Sequence, residues 1–188
     1  PYPDETWTQD EYLDAMRRLT LDEDGDGATD VWGGMLDVSW DRVQVHVNAW
    51  GGNIVDPDDP ASCALDEDPA LEAVEWLRAR MWDDKVMATL LDVQNLSTRD
   101  AFIEGAVATV EDGSWALKDI LANAPFRVGV APLPAGPAGR GTQATTEGFG
   151  INAGPPQPEE ARQQLKFLIS DEYALAMARA NFLQPAKA

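Results

Sequence analysis

Helix-forming and strand-forming patterns alternate along the whole chain, and that alternation limits the fold more than any single motif does. Thr8 and Glu11 stand at T-x-x-E spacing, a reciprocal cap for a helix start, and Leu13, Met16 and Leu19 follow at helical spacing. The run Val31–Val38 predicts a strand. Ser39 predicts the cap of a helix over Trp40–Trp50, which Gly51 and Gly52 end. Asn53–Val55 predicts a short strand. Asp68 and Pro69 mark the next helix start, and Leu71, Val74, Leu77 and Met81 form its expected buried stripe. Ser97 and Asp100 cap a short helix closed by Gly105, Ala106–Val110 alternates as a strand, and Asp112-Gly113-Ser114 turns the chain into a helix around Trp115–Leu121. Val128–Ala131 predicts a buried strand, Pro134–Gly148 a long mobile loop and Phe149–Asn152 a last strand, before helices over Pro158–Ile169 and Asp171–Ala180. Strands separated by helices predict an α/β lobe, a layered mixed or largely parallel sheet flanked by helices.

Charge narrows the partners. The 188 residues include 14 basic and 33 acidic ones, a net charge of −19, which repels phosphate backbones and anionic lipid. Nucleic acid is excluded as a partner, and neutral ligands and cations stay open. No stretch reaches the roughly 18 apolar residues of a membrane-spanning helix. The single cysteine, Cys63, allows neither an internal disulfide nor a multi-cysteine zinc site. The chain starts at Pro1 with neither a methionine nor a hydrophobic leader, and is expected to be a segment of a longer product whose export signal lies upstream.

Eleven of the acidic residues fall in two loops, Asp22–Asp30 and Asp56–Asp68, so the charge needs a local explanation. In the first loop Asp22, Asp24, Asp26 and Asp30 occupy positions 1, 3, 5 and 9 of a calcium-loop pattern. Gly27 stands at the sharp bend and the Ala28 carbonyl at position 7. Position 12, which calls for a bidentate glutamate, is Gly33. Two readings stay open, a structural calcium and a solvated Asp/Gly turn.

Seven tryptophans call for a role. Trp76 and Trp82 are expected to pack in the core. Trp40, Trp50 and Trp115 sit at junctions between elements, where ligands collect at the carboxyl ends of strands in α/β sheets. An indole there offers a flat plate to the C–H face of a sugar ring, while acids and backbone groups bind its hydroxyls. Trp40 with Asp41, the turn Asp112-Gly113-Ser114-Trp115, and Thr146-Glu147-Gly148 are the candidate site. His46, in mid-helix beside Val43 and Val47, is expected to be structural. One histidine and one cysteine supply no nucleophile–base pair, and the chain is expected not to be an enzyme.

Seven motifs in fixed order carry a family resemblance: Trp7-Thr8; Asp24–Gly33; Gly51–Asp56; Phe102–Ala108; Asp112–Trp115; Val130–Pro134; and Gly148–Ile151. Together they resemble the extracellular solute-binding proteins of ABC-type sugar importers, the group that includes maltose-binding protein. The resemblance implies a type II periplasmic-binding-protein lobe, the second of two lobes that close on a sugar and present it to an ABC permease. It implies that residues 1–188 are this lobe, that the helices of 157–188 pack on a first lobe outside this chain, and that the protein works outside the cytoplasm, in the periplasm or as a lipoprotein anchored at the outer face of the cell membrane. Trp115 matches the family's aromatic platform, Gly113 and Ser114 its turn, Glu147 and Gly148 the ligand-facing stretch before the hinge strand, and Trp40 and Asp41 the helix start facing the cleft. Val43 and His46 stand where aromatics are common. No cofactor is required, apart from the calcium the acidic loop suggests. An isolated lobe is expected to uncover Leu165, Phe167 and Leu168, which pairing of two copies would cover. Two other functions fit the residues less well: a calcium-dependent surface adhesion module, and a glycosidase fragment using Asp112 and Glu147.

Overall fold

A computed structural model describes residues 2–145, 148–152, 154 and 157–180. They fall into two compact units, Pro1–Asp112 with Asp119–Gln143, and Gly113–Lys118 with Ala144–Ala188. In the first unit α1 (Gln9–Leu19) opens with the full reciprocal cap: Glu11 N–H donates to Thr8 Oγ1 and Thr8 N–H to Glu11 Oε2. Asp10 and Glu11 in the first turn and Arg17 and Arg18 in the last complement the helix dipole. Its buried stripe is Gln9, Tyr12, Leu13 and Met16.

Three short parallel strands, β1 (Gly34–Leu36), β2 (Met87–Ala88) and β3 (Val110–Glu111), form a sheet in the order β2-β1-β3. Met35 pairs with Ala88 on one side and with Val110 on the other. The central strand is buried along its length, which is why Gly-Met-Leu is apolar without alternation. Period-2 geometry sorts the side chains: Leu36 and Met87 join Tyr12, Met16, Leu77 and Met81 in one cluster, while Met35 and Ala88 join Val93, Ala101 and Val107 in another. Parallel strands need helical crossovers. These are α2 (Trp40–Trp50) and α3 (Asp68–Arg78) between β1 and β2, and α4 (Thr98–Ile103) between β2 and β3.

Several expected elements differ. The strand expected over Val31–Val38 contracts to Gly34–Leu36, while Val31 and Trp32 make isolated bridges to Leu21 and Val107. Asn53–Val55 makes only an isolated bridge, Val55 to Cys63. Ala106–Val110 is replaced by Val110–Glu111, since the pairing of β1 sets the register. Val128–Ala131 forms no ladder: Val130 is 64% exposed and its carbonyl accepts from Tyr2 Oη. Phe149–Asn152 is not a strand either.

The stripe of α3 is Ala70, Ala73 and Leu77 rather than Leu71 and Val74, and it continues to Met81 in a π-helical turn, Ala79–Asp83. Small residues are required there, because α2 meets α3 across Gly52, whose Cβ would lie 2.8 Å from Ala70 N. Trp82 faces solvent, while Trp50 and Trp76 pack together at 5.7 Å. The early part of Pro134–Gly148 is anchored, not loose. Ala135 bridges Thr8, Ala138 N–H donates to Ala49 O, and Arg140 donates to Leu133 O and Glu5 O.

In the second unit α6 (Pro158–Leu168) and α7 (Asp171–Arg179) pack against each other, as expected from their sequence. Phe167 is half exposed, and Leu165 and Leu168 are partly covered. The helix α5 (Leu117–Asn123) follows the turn after β3.

Candidate functional site

The carboxyl ends of the three strands share one edge of the sheet. They lead into Asp37-Val38-Ser39-Trp40, into Thr89-Leu90-Leu91 and into Asp112. Ser39 takes the N-cap position of α2, but its hydroxyl donates to Asp41 Oδ1 at 2.6 Å instead of capping the helix. Asp41 also pairs with Arg42, and Arg42 Nη2 reaches Asp112 Oδ1 at 3.0 Å. Thr98 Oγ1, at the start of α4, donates to Asp112 Oδ2 at 2.9 Å. The chain Ser39–Asp41–Arg42–Asp112–Thr98 therefore ties two strand ends to two helices. The Ser39 hydroxyl, more than the Arg42 charge, holds the Asp41 carboxyl below its ordinary value.

Around this network the edge is apolar and open. Trp40 is 68% exposed, and Val38, Leu90 and Leu91 also face solvent. Arg42, Thr98, Leu90 and Leu91 were not among the residues predicted for the site. Seventy positions separate Arg42 from Asp112, so no local signal could link them. Leu90 and Leu91 follow β2, a two-residue strand that the sequence did not lead one to expect, so the strand-end rule gave no pointer to them.

Glu111, the last residue of β3, bonds His46 beneath this edge: Oε2 lies 2.8 Å from Nε2 in the buried interior. His46 stacks on Trp76 at 5.7 Å with an interplanar angle of 23°. It is the structural histidine expected, and Trp50, 6.5 Å from it, belongs to the same packed group rather than to a ligand plate. Tyr12 Oη bonds Thr109 Oγ1 nearby, and burial, followed by the charge of Glu111, pushes the phenol above its usual range.

In the second unit, Gly113–Ala116 forms a turn in which Ala116 N–H donates to Gly113 O. The Trp115 indole folds over Gly113 and is half exposed. Ser114 and Gly148 are exposed. Thr146 and Glu147 lie outside the described residues. Phe149, Gly150, Ile151 and Asn152 line a cavity of about 310 Å³ with Leu165 and Leu168 of α6.

In the acidic loop, Asp22, Asp24 and Asp30 bring carboxylate oxygens within 4.8 Å of one another, whereas Asp26 does not join them. The loop uses these groups internally: Asp22 accepts from Gly25 and Gly27 N–H, Asp30 from Glu23 N–H, and Asp26 from Ala28 N–H. Three of the four acids of the pattern converge as part of a calcium shell would require. No helix among the described residues is long and apolar enough to cross a membrane.

The fold recurs in solved binding proteins. The maltose/maltodextrin-binding domain MalE from Bdellovibrio bacteriovorus, bound to maltotriose, superposes with a TM-score of 0.84 at 21% identity, over 99% of this chain and 49% of that one. The ABC substrate-binding protein Lmo0181 from Listeria monocytogenes, in complex with cycloalternan, gives 0.82 at 22%, over 99% and 46%. UgpB from Mycobacterium tuberculosis, in complex with glycerophosphocholine, gives 0.71 at 21%, over 98% and 45%. The chain thus spans about half the length of these proteins, and its fold is that of a type II periplasmic-binding-protein lobe. No protein of curated function matches it. The sequence profile for the bacterial extracellular solute-binding proteins matches residues 3–175. With that match over most of its length, the chain belongs to the bacterial extracellular solute-binding protein family.

Proposed function

We propose that this chain is the second lobe of the substrate-binding component of an ABC importer, which takes a sugar or oligosaccharide into an interlobe cleft and passes it to the permease outside the cytoplasm. The observation that supports the reading is the sheet edge: an exposed indole, Trp40, opens helix α2 just before Asp41, and Asp41 and Asp112 are already oriented by Arg42, Ser39 and Thr98. Prearranged acids next to a flat apolar plate suit hydroxyl-rich rings, because the polar groups need not reorganise on binding. In this reading Trp115, Gly113, Ser114, Thr146, Glu147 and Gly148 supply the remaining contacts, and the helices of 157–188 pack on the first lobe. The chemistry is binding without bond cleavage. Asp112, already committed to Arg42 and Thr98, makes a poor general acid. Calcium, if taken up by Asp22, Asp24 and Asp30, is structural and leaves the sugar site to the sheet edge.

The test is calorimetry of the intact protein against a panel of mono- and oligosaccharides that includes maltotriose. Saturable binding of at least one supports the reading, and silence toward all of them refutes it.

A further inference from the structure

Helix α2 grips the end of β3 at two successive residues. Arg42 Nη2 donates to Asp112 Oδ1 at 3.0 Å, and one helical turn later His46 Nε2 meets Glu111 Oε2 at 2.8 Å. Successive side chains of a strand point to opposite faces. Both reach one helix because Asp112 lies just past the last residue of β3, where strand alternation no longer governs its side chain.

The inner contact is the more confined. His46 is 2% exposed and Glu111 9%. Trp76 stacks on the imidazole, Trp50 lies against it, and Arg80 sits over the Trp76 ring at 5.0 Å, so the imidazole cannot swing away. Stability alone does not require a polar pair here, since apolar residues of similar volume commonly serve as well or better. What the pair adds is a directional bond of fixed length between α2 and the residue that precedes Asp112.

Resting on the carbohydrate-binding reading above, we propose that His46 and Glu111 are positioning residues: their bond fixes where β3 ends, and so where Asp112 is presented to ligand.

The test is maltotriose affinity by calorimetry, together with Tm, on the intact protein carrying H46Q, H46M, E111Q or H46M/E111M. Glutamine places an amide donor near the reach of Nε2, and Glu111→Gln keeps an acceptor for it, so both should hold affinity within about twofold. H46M strands a buried carboxylate and should lower Tm. In H46M/E111M the apolar pair should recover Tm while affinity stays about tenfold below wild type, because stability returns and the directional bond does not. Wild-type affinity in a folded H46M/E111M protein overturns the proposal. Where the methionine variants do not fold, E111Q decides: a tenfold loss at unchanged Tm also overturns it, and retained affinity supports it. If the wild-type protein binds neither maltotriose nor any other carbohydrate, the functional reading fails separately. The backbone amide resonance of Asp112 then carries the test, moving in H46M/E111M but not in H46Q if the pair sets the place of Asp112, and unmoved in both if it does not.

Discussion

The indole of Trp115 lies over the α-carbon of Gly113, so closely that a Cβ on Gly113 would overlap its six-membered ring. The glycine is therefore the seat of the tryptophan, and the indole keeps half its surface open to solvent. Gly113→Ala should expel the ring, shift its fluorescence and weaken sugar binding. Trp115→Ala should weaken binding by about 1–3 kcal/mol, the scale of a lost buried aromatic contact. Calorimetry on both variants checks this, and unchanged affinity in either would mean that Trp115 does not face the ligand.

Arg42 pairs with two carboxylates, Asp41 and Asp112. Arg42→Met keeps the aliphatic stem and removes the charge. It should destabilise the protein by about 2 kcal/mol, since it takes the charged partner away from two largely buried carboxylates. Arg17→Met, which breaks an exposed pair with Asp84, should cost under about 1 kcal/mol. Urea unfolding of the two variants measures the contrast, and equal costs would contradict it.

The Asp41 carboxyl sits below its ordinary value of 3.8, chiefly through the Ser39 hydroxyl. A depressed folded-state value contributes stability above the unfolded value and loses it as pH falls through the folded one. Asp41→Asn should therefore lower Tm at neutral pH and flatten the fall of Tm on acidification below about pH 4. Thermal melts between pH 2 and 7 follow both effects.

Calcium should raise Tm through Asp22, Asp24 and Asp30, whose oxygens converge, and Asp22→Asn should remove the effect more completely than Asp26→Asn. At ten to a hundred times a millimolar dissociation constant the gain is about 1.4–2.7 kcal/mol. Melts with calcium and with chelator measure it. An identical Tm in both would make the loop a plain Asp/Gly turn closed by its own amides.

Local chemistry was legible wherever one segment decides the outcome. The reciprocal cap of Thr8 and Glu11 and the stop at Gly51, with φ of 88°, are such cases. What depended on a distant partner was not. Trp76 precedes and Trp82 lies within the π-helical turn Ala79–Asp83, whose wider winding no helical spacing predicts, and packing against His46 and Trp50 takes Trp76 inward while Trp82 stays exposed. The alanine stripe of α3 is invisible to a search for bulky apolar residues, because the close approach of α2 at Gly52 creates the need for it. Val128–Ala131 has the composition of a strand but pairs with no strand among the described residues. Within the site, Trp40, Asp41 and Asp112 could be proposed from the strand-end rule, whereas Arg42, which orients both acids, could not.

The most direct measurement is a crystal structure of the intact protein with maltotriose. This account predicts a sugar ring lying against the exposed indole of Trp40, with hydroxyls bonded to Asp41 and Asp112 at the carboxyl edge of the sheet. A ligand bound away from that edge would contradict it.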